Sequence, residues 1–184
     1  MMSDEMLYRR YLDGHDAGLT ELMERHGNKL TLYINAYVHD FNDAEDLMID
    51  AFAYLLTKKP SIGDGCLKAY LYKSARHLAL RFMAKRRQRQ CFDLDRAGEG
   101  AGDSLLIEEI AQAGERSRTL RLCMELLHAD YREALYLLYF EGLSYAQAAL
   151  VMGKSEKQLT NLAYRGKQAL RPLLEREGIT DAYA

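Results

Sequence analysis

A chain of 184 residues suits two compact lobes, and with 2 prolines against abundant Leu, Ala, Met, Glu, Lys and Arg it favours helix over strand, so the expected fold class is all-α. Three cysteines, Cys66, Cys91 and Cys123, are odd in number and widely spaced, which excludes a disulfide framework and a paired-cysteine zinc site; they read as reduced thiols. The formal net charge of −2 conceals a split, because Asp40, Asp43, Glu45, Asp46 and Asp50 share a stretch without Lys or Arg, whereas Lys68 to Arg89 is strongly basic and holds no acid.

The first residues, MMSDEMLYRRYL, lack the basic start and apolar run of a signal peptide, and no stretch approaches membrane-spanning length. A cytoplasmic protein without membrane insertion is expected. Apolar spacing predicts helices over 4–13, 17–38, 43–57 and 66–90, with Leu19, Leu22, Met23, Leu30, Tyr33, Ile34 and Tyr37 building a first core. Asn42 with Glu45 reads as a capping box at the start of the third helix. In that helix, NDAEDLMIDAFAYLL, Asp43, Asp46 and Asp50 fall on one side and Ala44, Met48, Ala51, Phe52 and Leu55 on another. Such an acidic face either aids solubility and complements the positive helix N-terminus, or docks a basic protein partner.

The fourth helix, LKAYLYKSARHLALRFMAKRRQRQ, carries an apolar stripe of Leu67, Leu71, Ala75, Leu78 and Phe82. Tyr70, Lys73, Arg76, His77 and Arg81 gather opposite it. Rings interleaved with cations suit unpaired DNA, since bases stack on aromatics while Lys and Arg hold phosphates. Lys85, Arg86, Arg87 and Arg89 add attraction that is independent of sequence. The bland alternative is a solvated basic helix face. Beyond it, residues 93–116 turn Gly-rich and acidic and read as a linker.

The C-terminal third predicts helices over 117–127, 131–141, 145–152 and 156–176. Capping boxes are read at Asp130 with Glu133, Ser144 with Gln147 and Ser155 with Gln158, and helix stops at Gly142 and Gly153. The segment GLSYAQAALVMGKSEKQLTNLAYRGKQAL is thus two short capped helices joined by a turn, a helix-turn-helix. The second helix of that motif enters the major groove. Lys154, Ser155, Lys157, Gln158 and Asn161 are its candidates for base edges, with Tyr164, Arg165 and Lys167 for phosphates and sugars. A plain helical hairpin is the competing reading.

Nothing in the chain points to catalysis. There is no phosphate-cradling glycine loop, no metal-ligand cluster and no nucleophile with a partnering base, and His15, His26, His39, His77 and His128 are scattered. No catalytic residue, metal or cofactor is expected.

Taken in order, the acidic, basic-aromatic and helix-turn-helix segments resemble the sigma factors of bacterial RNA polymerase, specifically the small extracytoplasmic-function group of the sigma-70 family. NDAEDLMIDAF is similar to that family's DAEDLxQxxF segment, which docks on the largest polymerase subunit. The resemblance makes Asp43, Glu45, Asp46, Leu47 and Asp50 candidates for binding core polymerase. The fourth helix resembles the WLYxIARNLALDxxRRxxR helix that melts and holds the minus-ten element. This implies that role for Tyr70, Lys73, Arg76 and His77, with the loop Ser61 to Cys66 near the flipped base; Arg81, Lys85, Arg86 and Arg87, from the basic face and tail, join them as minus-ten candidates. The C-terminal lobe resembles the part that reads the minus-thirty-five element.

The implied domains are 1–92, a linker of 93–116 and 117–184, and the implied partners are core RNA polymerase, promoter DNA and an anti-sigma factor. Tyr70 stands where the family commonly has Trp, and His77 where it has Asn. Thr160 and Leu162 occupy recognition-helix positions that are usually polar or basic. Two other classes stay open: a helix-turn-helix regulator that does not direct initiation, and a sigma-like adaptor without promoter recognition.

Overall fold

Ser3, in extended conformation, opens the first helix by accepting a hydrogen bond from the Met6 N–H through its hydroxyl oxygen. A computed structural model describes residues 2–92 and 114–178 of the chain; every regular element among them is helical, and they divide into two units, Met1–Leu106 and Ile107–Ala184. The N-terminal unit holds α1 (Asp4–Leu12), α2 (Ala17–Val38), α3 (Phe41–Lys58) and α4 (Leu67–Phe92).

α2 packs on α1, α3 and α4, and α3 packs on α4. Leu7, Leu22, Leu30, Ile34, Phe52, Leu55, Leu67, Leu71 and Tyr72 are fully buried where these helices meet. Side chains of that kind each stabilise by about 1.5–3 kcal/mol when removed from water. Of the first-core residues expected from spacing, Leu22, Leu30, Tyr33 and Ile34 are buried, while Leu19, Met23 and Tyr37 sit at the edge.

α3 begins earlier than its sequence suggested. Asp40, not Asn42, caps it, accepting from the Asp43 N–H at 3.1 Å. The reason lies one residue upstream. α2 ends in His39 with a left-handed φ of 56°, which turns the chain so sharply that Asp40 already stands at the mouth of the next helix. Asn42 and Glu45 therefore lie inside α3.

The C-terminal unit holds α5 (Gly114–Glu125), α6 (Ala129–Leu135), a π-helical turn (Tyr136–Phe140), α7 (Tyr145–Met152) and α8 (Glu156–Arg176). α8 is its axis and packs on α5, α6 and α7. Cys123, Met124, Leu127, Leu135, Leu170 and Leu174 form one buried cluster. Residues 93–113 of the expected linker lie outside the described residues; its last three belong to α5.

Two further expectations are corrected here. His128, not Asp130, caps α6, its ring nitrogen accepting from the Asp130 N–H. The helix expected over 131–141 starts at Ala129 and loosens into a π turn at Tyr136, where the Glu141 N–H reaches back five residues to the Tyr136 carbonyl at 3.1 Å. The Tyr136 hydroxyl also donates to Glu141 Oε1 at 2.9 Å, holding that wider turn.

Ser144 with Gln147 and Ser155 with Gln158 form full capping boxes, and Gly153 ends α7 at φ 64°, a conformation that glycine adopts without strain.

Two glycines in α2 test this packing in opposite directions. A methyl group at Gly18 would collide with the Leu7 carbonyl oxygen of α1, so Gly18→Ala should destabilise the N-terminal unit by about 1–3 kcal/mol in urea unfolding. At Gly27 the same methyl meets only Met48 Sδ at 3.8 Å, so Gly27→Ala should raise stability by about 0.5–1 kcal/mol.

Candidate nucleic-acid interface

α3 divides as its periodicity requires. Ala44, Leu47, Ala51, Phe52 and Leu55 are buried, while Glu45, Asp46 and Asp50 are exposed and Asp43 is half-buried at the helix start. Among the described residues none of these four acids is ion-paired. Leu47 is only 7 % exposed, so it supports the acidic face from beneath and does not present itself there.

α4 turns its stripe of Leu67, Leu71, Ala75 and Ala79 into the core, and Tyr72 and Ala69, which the simple stripe omitted, are buried beside it. Leu78 and Phe82 are half-buried. On the other side Lys73, His77, Arg81, Lys85 and Arg87 are exposed, and Tyr70 and Arg76 are half-buried. The exposed basic residues extend from Lys73 to Arg87. Arg86 partly leaves that side: one guanidinium nitrogen donates to the Val38 carbonyl at the end of α2, at 3.4 Å. A cation there complements the negative helix C-terminus.

The structure brings a second aromatic to Tyr70. Burial and then the neighbouring Tyr54 push the Tyr70 phenol above its ordinary value, while a hydrogen bond with Ser74 opposes them. Tyr54, on α3, is 48 % exposed, and Lys58 one turn later sits 6.0 Å from its ring centroid. Neither was singled out from the sequence. Their spacing on α3 put a ring and a cation on one outer face, a signal that becomes informative only when α4 is known to lie alongside.

The helix-turn-helix residues separate into two groups. Lys157, Asn161, Tyr164 and Arg165 are exposed on one side of α8, opposite its buried Leu159, Ala163, Gly166 and Leu170. Tyr164 is 65 % exposed, and its hydroxyl accepts from Gln168 Nε2 at 3.2 Å.

The other group is engaged in the fold. Ser155 Oγ accepts from the Gln158 N–H at 3.2 Å, and Gln158 Oε1 accepts from the Ser155 N–H at 2.9 Å. Lys154 pairs with Asp130 at 3.1 Å. Reading an adenine through both ends of its amide would require Gln158 to release the capping box. Thr160 turns its hydroxyl back to the Glu156 carbonyl at 2.8 Å, and Leu162 is half-buried, so neither offers a polar group outward.

Lys167 lies at the flank of α8 with its ammonium 4.6 Å from the Tyr139 ring centroid. Burial raises the Tyr139 phenol, but hydrogen bonds with Lys167 and Tyr145 and the lysine charge bring it below the ordinary tyrosine value. Tyr139 and Tyr145 are both exposed beside Lys167, outside α8. Helical spacing alone does not place Tyr139 there, because the π turn that carries it reads as ordinary helix.

Among the described residues no group of His, Cys, Asp and Glu is placed to hold a metal ion, and no helix is long and apolar enough to cross a membrane. Cys66 and Cys123 are free thiols.

Comparison with known proteins bears on the whole chain. Residues 22–89 match the family described as Sigma-70 region 2, and residues 117–170 match Sigma-70, region 4. The RNA polymerase sigma-H factor of Pseudomonas aeruginosa is 30 % identical over 93 % of this chain and 95 % of its own length. The ECF RNA polymerase sigma factor SigM of Bacillus subtilis is 25 % identical over 89 % of this chain and 98 % of its own. Two solved structures share the fold at 21 % identity. They are CnrH in complex with the cytosolic domain of CnrY, with a TM-score of 0.62 over 95 % of this chain and 98 % of that one, and the sigma factor RpoE with the anti-sigma factor NepR from Bartonella quintana, with a TM-score of 0.58 over 85 % and 96 %. With both sigma regions present in order, the chain belongs to the extracytoplasmic-function group of the sigma-70 family, as a promoter-recognising sigma factor that directs transcription initiation.

Proposed function

We propose that three surfaces divide this work across an N-terminal domain of residues 1–92, a linker of 93–116 and a C-terminal domain of 117–184. Glu45, Asp46 and Asp50, with Asp43 at the helix start, bind core RNA polymerase, and Leu47 shapes that face from within. Tyr70, Lys73, Arg76, His77 and Arg81, joined by Lys85, Arg86 and Arg87, receive the minus-ten element as unpaired DNA. Tyr54 and Lys58 belong with them. The rings stack on bases, the cations hold phosphates, and the loop Ser61 to Cys66 lies against the flipped base.

The C-terminal domain grips the minus-thirty-five element as duplex. Lys157 and Asn161 face base edges, while Tyr164, Arg165 and Lys167 contact phosphates and sugars. Lys154, Ser155 and Gln158 shape the start of the recognition helix.

One observation supports this division most directly. The unpaired acidic face of α3 and the basic face of α4 belong to neighbouring helices packed together. DNA phosphates are repelled by the first and attracted by the second, so one domain can hold protein and DNA at once. The chain itself does no chemistry. It acts in the cytoplasm, and with a net charge of −2 it binds polymerase before it binds promoters. An anti-sigma factor is the third partner, by analogy with RpoE of Bartonella quintana, whose structure was solved with NepR.

Genome-wide run-off transcription with core polymerase, with and without this protein, should yield new start sites sharing two spaced upstream motifs. Binding to core polymerase without such sites would leave the adaptor reading, and neither result would leave a helix-turn-helix regulator. Reversing charge by Asp46→Arg should weaken core-polymerase affinity by about tenfold or more, measured by fluorescence anisotropy, because an acceptor for a basic partner becomes a repelling cation. Ser155→Ala should lower stability by about 1 kcal/mol and weaken all minus-thirty-five sequences alike, whereas Asn161→Ala should change the base preferred at one position.

A further inference from the structure

The loop from Lys59 to Cys66 is fastened to a helix far away in sequence. The Tyr8 hydroxyl of α1 donates to the Pro60 carbonyl at 3.1 Å. Arg9 pairs with Asp64 at 2.7 Å. Glu5 Oε1 accepts from the Leu67 N–H, at the point where the loop becomes α4, at 3.3 Å. Positions 5, 8 and 9 follow the i, i+3, i+4 spacing of one helix face, so a single side of α1 holds both ends and the middle of the loop.

The contacts differ in weight. Arg9 and Asp64 are both largely exposed, and a pair of that kind contributes little. Tyr8 is 4 % exposed, and its hydrogen bond to Pro60 is partly buried, so water competes with it less than with the Arg9–Asp64 pair. The Glu5 carboxylate sits at the positive end of a 26-residue helix and satisfies one of that helix's first backbone donors.

α1 is itself held in place. Asp4 Oδ2 contacts His26 Nε2 at 2.7 Å, and Arg25 donates to Asp4 Oδ1 at 2.9 Å, joining the start of α1 to α2. Within the loop, Lys59 adopts a left-handed φ of 43°, and the Cys66 N–H donates to the Gly63 carbonyl at 3.1 Å. The contacts from Glu5, Tyr8 and Arg9 add to these an external hold on the loop.

We propose that Glu5 and Tyr8, with a minor contribution from Arg9, are positioning residues that fix the 59–66 loop in the form that receives an unpaired nucleotide. They touch no base themselves. The proposal rests on the reading of this loop as the one beside the flipped base. Its consequence is that discrimination among bases depends on α1, a helix outside the residues proposed to contact DNA.

The test uses holoenzyme assembled from the full chain and core polymerase, with fork-junction DNA probes carrying each of the four bases at every unpaired minus-ten position. The variant is Glu5→Met with Tyr8→Phe, which keeps size and ring packing while removing both the acceptor for the Leu67 N–H and the hydroxyl donor to Pro60. The affinity ratio between the preferred base and the others at one position should fall about fivefold, the scale expected from losing partly buried hydrogen bonds, with core-polymerase affinity unchanged. Ser61→Ala with Ile62→Ala, in the loop itself, should lower the same ratio. If the loop variant lowers it and the α1 variant does not, the positioning role is overturned. An equal loss for all four bases would also overturn it, reducing α1 to general support. If neither variant changes the ratio, the loop does not read the base, and the proposal falls with that reading.

Discussion

The burial of one side of α4 is the constraint on which the N-terminal domain depends. Lys68 to Arg89 places eight basic residues on a single helix without an acid, and their mutual repulsion opposes helix formation in isolation. Leu67, Leu71, Tyr72, Ala75 and Ala79 offset that repulsion by packing fully against α2 and α3. A basic helix held in this way is ordered by the fold itself, which suits the DNA-binding role proposed for it. The entropy of fixing its cations in a row is met during folding and does not subtract from binding.

The same reasoning explains why the surfaces are placed where they are. α3 can hold its acids exposed and unpaired because Ala44, Ala51, Phe52 and Leu55 anchor its other side. In the C-terminal domain α8 buries Leu159, Ala163, Leu170 and Leu174 and frees the side bearing Lys157, Asn161 and Arg165. Each functional helix is a two-sided object whose apolar half determines where its polar half points.

Much of this was legible in the sequence, because amphipathic period and serine caps are local properties. The helix-turn-helix boundaries at 145, 152 and 156 follow from Ser144, Gly153 and Ser155. What was misplaced depended on geometry that a one-dimensional pattern does not carry. The left-handed His39 moved the α3 cap to Asp40, and the Tyr136 to Glu141 contacts widened a helix that reads as regular. At the candidate sites, exposure followed periodicity for Asp46, Lys73 and Asn161. Leu47, placed among the polymerase candidates by motif similarity, is buried as the spacing of Ala44, Leu47, Ala51 and Leu55 requires. Tyr54 and Tyr139 were missed because their relevance comes from neighbours distant in sequence, Tyr70 and Lys167.

The reciprocal capping box at the start of α8 bears on how such proteins diverge. Ser155 and Gln158 are bound to each other's backbone, so replacing either would unsettle the helix before altering its target. Lys157, Asn161 and Arg165 have no such duty and are exposed on one side. If those three positions read the promoter as proposed, a duplicated copy can drift toward a new set of genes through them while its fold stays intact, a separation of foldability from address that lets one scaffold serve many regulons.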